Sequence, residues 1–247
     1  MIVKGIIFDI NGTLSDIRTD EWHDEVYRVT SNLLSYQGIL LGSKAVKDHY
    51  FQIMKEQFAR STETFPEFDV VAVWREVLER QASDSTRSLP LGKFQQLPLF
   101  LAELQRGISR KRLSLFPQVL EVLSQLREQY LLAVVSDAQS AYALPEIRAV
   151  GLDEYFDPVV ISGDYGYRKP DARLFQKALD GLQVSPSQAL FIGNDGYRDV
   201  FGARQLGIKT ILFRHTQDTT RPNEAEPDYI IREFAELTRA LDFFIAL

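Results

Sequence analysis

The sequence contains no cysteine among its 247 residues, which excludes disulfides and thiolate-held metals. Histidine is scarce as well. His23, His49 and His215 are scattered, and none forms the His-x-x-x-His pair with which a helix presents two imidazoles to zinc. Positive charge is not in excess: 28 Lys and Arg stand against 34 Asp and Glu, a net charge of −6. A weakly acidic chain has no general attraction for nucleic acid or for an anionic membrane. Long apolar runs are missing too, and none approaches the roughly 20 residues of a membrane span. The opening stretch Met1-Ile2-Val3-Lys4-Gly5-Ile6-Ile7-Phe8 is apolar but short. It has no strongly cationic leader and no small-residue cleavage site, so it reads as a buried strand. A cytoplasmic protein is expected, with neither nucleic acid nor membrane as partner.

What is present is ample apolar content, 45% of the residues, enough for a sizeable core. Short, β-branched runs end at polar or glycine-bearing turns at residues 2–8, 131–136, 158–162, 189–193 and 208–213, with a weaker one at 228–231. They are nearly continuous rather than alternating, as in strands buried on both faces of a parallel sheet. Helical spacing separates most of them, at residues 117–129, 173–182 and 200–206. Repeated strand–helix–strand units predict an α/β fold with a doubly wound, Rossmann-like parallel sheet.

Residues 17–113 differ. They show no convincing strand, and helical stretches run near 20–36, 43–58, 69–80 and 93–106, punctuated by the polar stretch 81–88. The expected organisation is a core of residues 1–16 and 114–247 with an all-helical insert at 17–113. Such an insert leaves the sheet at the carboxyl end of its first strand, where open α/β sheets place ligands. Residues 216–227 read as a polar loop.

Four short segments carry candidate chemistry. The first strand ends in Phe8-Asp9-Ile10-Asn11-Gly12-Thr13, a carboxylate beside a glycine that permits a tight turn and close backbone approach. The second ends in Ser136-Asp137, where a hydroxyl and nearby N–H groups could hold a phosphate oxygen. In the third, Lys169 precedes Pro170 at the start of a helix, and its ammonium could neutralise a carboxylate or phosphate. The fourth, Gly193-Asn194-Asp195-Gly196-Tyr197-Arg198-Asp199, delivers two carboxylates in a glycine-bearing turn. Hard cations such as Mg²⁺ favour a few carboxylates, with waters completing the octahedron. Each segment alone has an ordinary structural use, as a turn residue, a helix cap or a solvated cation.

Their order and their shared place at strand ends resemble the haloacid dehalogenase superfamily over nearly the whole chain. The helical insert is similar to that family's helical cap of the first type. The resemblance implies a hydrolase, phosphatase-like, acting on a small phosphorylated substrate with Mg²⁺ as cofactor. Asp9 would be the nucleophile, forming an aspartyl-phosphate. Mg²⁺ would be held by Asp9, the backbone carbonyl of Asn11 and Asp195, with Asp199 orienting a water or Lys169. Ser136, Asp137, Gly12 and Thr13 would line the phosphoryl site, with Lys169 balancing its charge. Asp137 stands where many members have Asn, so its side chain is expected to point away.

Asn11 departs from the pattern. Phosphatases of this family carry an aspartate two residues after the nucleophile, which protonates the leaving oxygen and later activates water. An amide cannot do this, and such help is typically worth roughly 10²–10⁴ in rate. Three readings follow: a phosphatase that is slow or takes good leaving groups, a dehalogenase-type hydrolase, and a catalytically weak phospho-ligand or protein-binding module. Asn followed by Gly also has little steric protection against deamidation, which would convert residue 11 to an acid. Near the insert's start, Asp16, Trp22 and His23 are candidates for facing the site. Their structural alternatives, which weigh more, are helix capping by Asp16 or Asp20 and packing of Trp22 in the insert's core.

Overall fold

The computed structural model describes residues 1–214 and 225–246. Strand β1 (Gly5–Phe8) is followed by β2 (Ser15–Thr19). Helices α1 (Asp24–Tyr36), α2 (Ser43–Arg60), α3 (Val70–Gln81), α4 (Asp84–Arg87) and α5 (Leu91–Ser109) come next, then β3 (Arg110–Leu115). From there helices and strands alternate: α6 (Val119–Arg127), β4 (Leu131–Ser136), α7 (Ser140–Ala149), β5 (Val159–Ile161), α8 (Ala172–Leu182), β6 (Ala189–Gly193), α9 (Gly202–Arg204), β7 (Lys209–Phe213) and β8 (Tyr229–Ile231), closing with α10 (Leu237–Ile245). Of the expected loop at 216–227, residues 216–224 lie outside the described residues.

The sheet has the order β5-β4-β1-β6-β7-β8, and every pairing in it is parallel. This is the doubly wound α/β sheet that the sequence predicts. Its near-continuous apolar strands follow from burial on both faces. Ile6 and Phe8 of β1, Leu132 and Val134 of β4, and Leu190 and Ile192 of β6 join one core cluster with residues of α6 and α10. The intervening Ile7, Ala133, Val135 and Phe191 join another with residues of α8. The two-residue period of a strand sends alternate side chains to opposite cores. The chain runs from β1 to β4 and β5 on one side, then crosses to β6, β7 and β8 on the other. That reversal places a crevice at the carboxyl end of β1.

The segment expected to be all-helical is not so at its base. β2 and β3 pair as an antiparallel ribbon, Ser15 opposite Leu115 and Ile17 opposite Leu113. The expected boundaries at 16/17 and 113/114 fall inside these strands. Their sequences, Ser-Asp-Ile-Arg-Thr and Arg-Lys-Arg-Leu-Ser-Leu, are polar and only half buried. Such strands lack the apolar run that marks a central strand, and their partners lie some hundred residues apart in sequence.

Helices α1, α2, α3 and α5 enclose their own core of Val26, Tyr27, Tyr50, Trp74, Val77 and Leu101. The loop between α2 and α3 docks on the sheet's loops. Glu67 N–H donates to Gly166 O (2.9 Å) and Arg168 N–H to Phe65 O (2.9 Å). Gln139 bridges the same seam, donating from Nε2 to Phe68 O (2.7 Å) and accepting from Val70 N at Oε1 (2.9 Å).

The cap of α1 differs from the expectation. His23 Nδ1, not an aspartate, accepts from Glu25 N (3.2 Å), while Asp16 pairs with Arg112 (2.6 Å). Trp22 is not in the helical core either. It is 64% exposed and stacks on Phe51 with ring centroids 4.0 Å apart.

Candidate active site

Asp9, the first residue beyond β1, is almost fully buried. Its backbone N–H donates to Ile192 O (2.9 Å) of the neighbouring strand β6, which fixes the carboxylate over the strand ends. Lys169 Nζ donates to Asp9 Oδ1 (2.7 Å), to Asp199 Oδ1 (2.6 Å) and to Val135 O (3.2 Å). Those contacts use all three ammonium protons. Burial disfavours the charge, but Asp199 and then Asp9 overcome it and hold the ammonium above its ordinary value. Lys169 is therefore a fixed cation that orients Asp9. The other oxygen, Asp9 Oδ2, accepts from Thr13 Oγ1 (3.0 Å).

Gly12 has φ +88, and a β-carbon there would lie 2.3 Å from Asn194 Nδ2. Both the backbone conformation and the close approach require glycine. Its N–H donates to Ser15 O (2.7 Å), and Asn11 Oδ1 accepts from Ser15 Oγ (3.3 Å). The Gly12 nitrogen is the atom that would attack the Asn11 amide in deamidation, so these bonds restrain that reaction in the folded chain.

Ser136, at the end of β4, is buried, and its Oγ has no hydrogen-bond partner. A buried hydroxyl without a partner calls for an explanation, and a ligand oxygen is one. Asp137 does not point away as expected. Its Oδ1 accepts from Lys169 N (2.9 Å), its Oδ2 lies 3.8 Å from Arg198 Nη1, and it lines the cleft beside the strand ends. Burial raises the value of this carboxyl, with Lys169 and Arg198 opposing in part.

The two aspartates of the fourth segment have different tasks. Asp199 Oδ2 accepts from Asn194 N and Asp195 N (both 3.0 Å), while its Oδ1 holds Lys169. Asp195 caps the π-helical turn Gly196–Phe201, its Oδ1 accepting from Tyr197 N (3.0 Å) and Arg198 N (2.8 Å). Its Oδ2 accepts from Arg198 Nε (2.9 Å). Burial would raise the Asp195 carboxyl, but the Arg198 N–H and guanidinium outweigh it and hold the value down. The structure thus brings Asp9, Thr13, Lys169 and Asp199 together, with Asp195, Asp137 and Arg198 linked beside them.

For a divalent cation the donor chemistry fits. Every expected ligand is an oxygen, and three buried carboxylates (Asp9, Asp195, Asp199) and the half-buried Asp137 face two cations, Lys169 and Arg198. The arrangement fits less well. Among the described residues no group of three or more His, Asp or Glu is gathered around one point, and Arg198 holds Asp195.

A cleft of about 300 Å³ opens beside Asn11 and Asp137, toward the helices. Its walls add residues that the sequence had not singled out: Tyr50, Glu67, Arg106, Gln139, Tyr142 and Arg168, besides Arg198. Asp16, Trp22 and His23 do not line it. Nothing in local spacing marks most of these added residues; only Arg168, beside Lys169, and Arg198, lying between two candidate aspartates, stood within a motif.

Comparison with known proteins agrees with this fold. The model of a family described as haloacid dehalogenase-like hydrolase matches residues 6–213. A glyceraldehyde 3-phosphate phosphatase of Pyrococcus furiosus is 30% identical over 118 residues, covering 47% of this chain and 49% of that protein. A phosphoserine phosphatase of Thermus thermophilus is 29% identical over 177 residues, 70% of this chain and 68% of that protein. The chain thus matches about half the length of the first of these relatives. A 2-haloacid dehalogenase from Pseudomonas syringae superposes with TM-score 0.73 at 23% identity, over 98% of this chain and 100% of that one. A phosphatase from Thermococcus onnurineus gives 0.58 at 22% identity, over 97% and 98%. At such identities the two structures speak for the fold.

Proposed function

The chain belongs to the haloacid dehalogenase-like hydrolases, and from that premise we propose that it hydrolyses a small phosphorylated metabolite through Asp9. The observation that carries this reading is the unpartnered Ser136 hydroxyl at a strand end of the sheet in which Lys169 fixes Asp9. A phosphoryl group there would accept from Ser136 and meet the Asp9 carboxylate. Attack by an Asp9 oxygen on phosphorus forms the aspartyl-phosphate and releases the leaving oxygen, and water then cleaves the acyl phosphate and restores the carboxylate. Thr13 and Lys169 keep Asp9 in place, as a positioning and electrostatic site requires. Asn11 offers no proton to the leaving group, so acyl phosphates and aryl phosphates are the preferred class.

Mg²⁺ would be held by Asp9, the Asn11 carbonyl and Asp195, with Asp199 keeping Lys169 in register. When bound it supplies positive charge for the phosphoryl oxygens. Helices α1–α5, carried on the β2–β3 ribbon, would act as a cap that limits substrate size and excludes water. No helix among the described residues is long and apolar enough to cross a membrane, and a cytoplasmic metabolite is the natural substrate on this reading. Dehalogenation at carbon is the second reading. It needs no protonation of its leaving group, and Asn11 provides none.

The experiment is a Mg²⁺ assay against p-nitrophenyl phosphate, acetyl phosphate and a panel of sugar and nucleotide monophosphates, beside Asp9→Asn and Asn11→Asp, with halide release from a 2-haloacid measured in parallel. Activity in the parent that Asp9→Asn abolishes supports the proposal. Asn11→Asp is expected to raise turnover on poor leaving groups by roughly 10²-fold or more. A silent parent with an active Asn11→Asp variant would make the natural chain a phospho-ligand binder. Halide release without phosphatase activity would favour the second reading.

A further inference from the structure

Arg198 is the one cation of the site whose position conflicts with the cofactor reading. Asp195 Oδ1 accepts from the two N–H groups of the turn it caps, and Oδ2 is the oxygen that faces Arg198. Arg198 Nε already donates there at 2.9 Å. The guanidinium also lies 3.8 Å from Asp137 Oδ2 through Nη1, so a second carboxylate stands ready if the first is lost. The two basic side chains of the site differ in freedom. Lys169 is 3% exposed and held by two aspartates and a carbonyl, whereas the Arg198 side chain is 41% exposed and lines the cleft. Arginine can therefore leave Asp195 without opening the core.

We propose that Arg198 is a built-in, displaceable counter-cation: it neutralises Asp195 while no metal is bound and must swing toward Asp137 and the cleft when a divalent cation takes Asp195. The inference rests on the reading of this site as a hydrolytic centre using such a cation, and it concerns the cost of metal entry rather than the reaction. A guanidinium and a divalent ion drawn to the same carboxylate oxygen repel each other, so each weakens the hold of the other. Metal binding is accordingly weaker than the donor set alone would give, and the displaced guanidinium adds positive charge where the substrate's anionic end would lie. Arg198 is thus a positioning residue of the cation site.

The test is Mn²⁺ binding, measured at neutral pH by the loss of the free-ion paramagnetic resonance signal, with no substrate present. The proteins compared are the parent chain, Arg198→Gln, Arg198→Lys and the double variant Arg198→Gln with Asp195→Asn; thermal melts establish that each is folded. Arg198→Gln is expected to bind Mn²⁺ at least tenfold more tightly than the parent, about 1.4 kcal/mol. Adding Asp195→Asn should abolish that gain. Arg198→Lys, which keeps a charge but not the planar fork, should fall between and serves if Arg198→Gln does not fold. Equal or weaker binding in Arg198→Gln, a gain that survives Asp195→Asn, or no Mn²⁺ binding by any of these proteins overturns the proposal. These readings are independent of turnover, so loss of the functional proposal would show instead as Asp9-independent activity in the phosphatase assay.

Discussion

Replacing Lys169 with methionine tests the electrostatic account of the site most directly. The ammonium sits 2.7 Å from Asp9 and 2.6 Å from Asp199, with side chains 3%, 7% and 1% exposed for the lysine, Asp9 and Asp199. Methionine keeps most of the stem and removes the charge, leaving two buried carboxylates against one another. Breaking a buried ion pair by removing one partner costs about 3–5 kcal/mol. In a chain of this size 1 kcal/mol shifts Tm by about 2–4 °C, so a fall on the order of 10 °C is expected at neutral pH. The assay is thermal unfolding followed by circular dichroism from pH 8 down to pH 4. Burial already holds the Asp199 carboxyl above its ordinary value, with Lys169 the chief opposing charge, so without the ammonium the folded variant takes up a proton there more readily. Its deficit is therefore largest at neutral pH and shrinks as pH falls through that raised value. Adding Asp199→Asn to Lys169→Met removes one of the two orphaned charges and should recover part of the loss. A Lys169→Met protein melting within about 2 °C of the parent at pH 7, with no pH dependence in the difference, would refute this reasoning.

Ser136→Ala should leave stability unchanged or slightly raised, because the lost hydroxyl has no partner, yet raise KM for phosphorylated substrates about tenfold or more, as loss of a hydrogen bond to a charged group implies; a fall in Tm with unchanged KM would make Ser136 structural. Gly12→Ala should destabilise the chain by more than about 1 kcal/mol and suppress turnover, because φ +88 and the Asn194 amide exclude a β-carbon; a denaturant melt reads the first and the phosphatase assay the second. Burial pushes the Glu67 carboxyl above its ordinary 4.5, so its contribution to docking of the α2–α3 loop is fullest below that value and is lost as pH rises through the raised one. Glu67→Gln should remove this dependence and slow amide exchange of residues 63–69 at pH 7, and exchange as fast as in the parent would count against it.

Much of the site was legible because its residues end strands. Asp9, Ser136 and Asp195 each follow an apolar run, and a parallel sheet sends the carboxyl ends of neighbouring strands to one edge. Lys169 was singled out because it stands just before a proline-started helix, and Asp199 because it lies in the turn that follows a strand. Asp137 was misjudged. Its orientation depends on the Lys169 backbone N–H and the Arg198 guanidinium, which belong to other segments. Arg198 was passed over because an arginine in a polar turn is commonly a solvated cation, and only folding sets it against Asp195. Gln139 meets the backbone of Phe68 and Val70 across a seam between segments some seventy residues apart. The β2–β3 ribbon escaped notice because its strands are short and polar, so pairing rather than burial stabilises them.

By itself the sequence determined the layer architecture and which polar side chains stand at the strand ends. Both depend on local features: unbroken apolar runs that must be buried on two faces, glycines that permit tight turns, and carboxylates placed where strands stop. The tertiary structure alone decided which charges meet. It assigned Lys169 to Asp9 and Asp199, gave Asp195 to Arg198, turned Asp137 inward and laid the α2–α3 loop against the sheet. Ion pairs and seam hydrogen bonds act over a few ångströms. They join residues that the chain holds far apart, so they exist only once the apolar cores have brought those residues together.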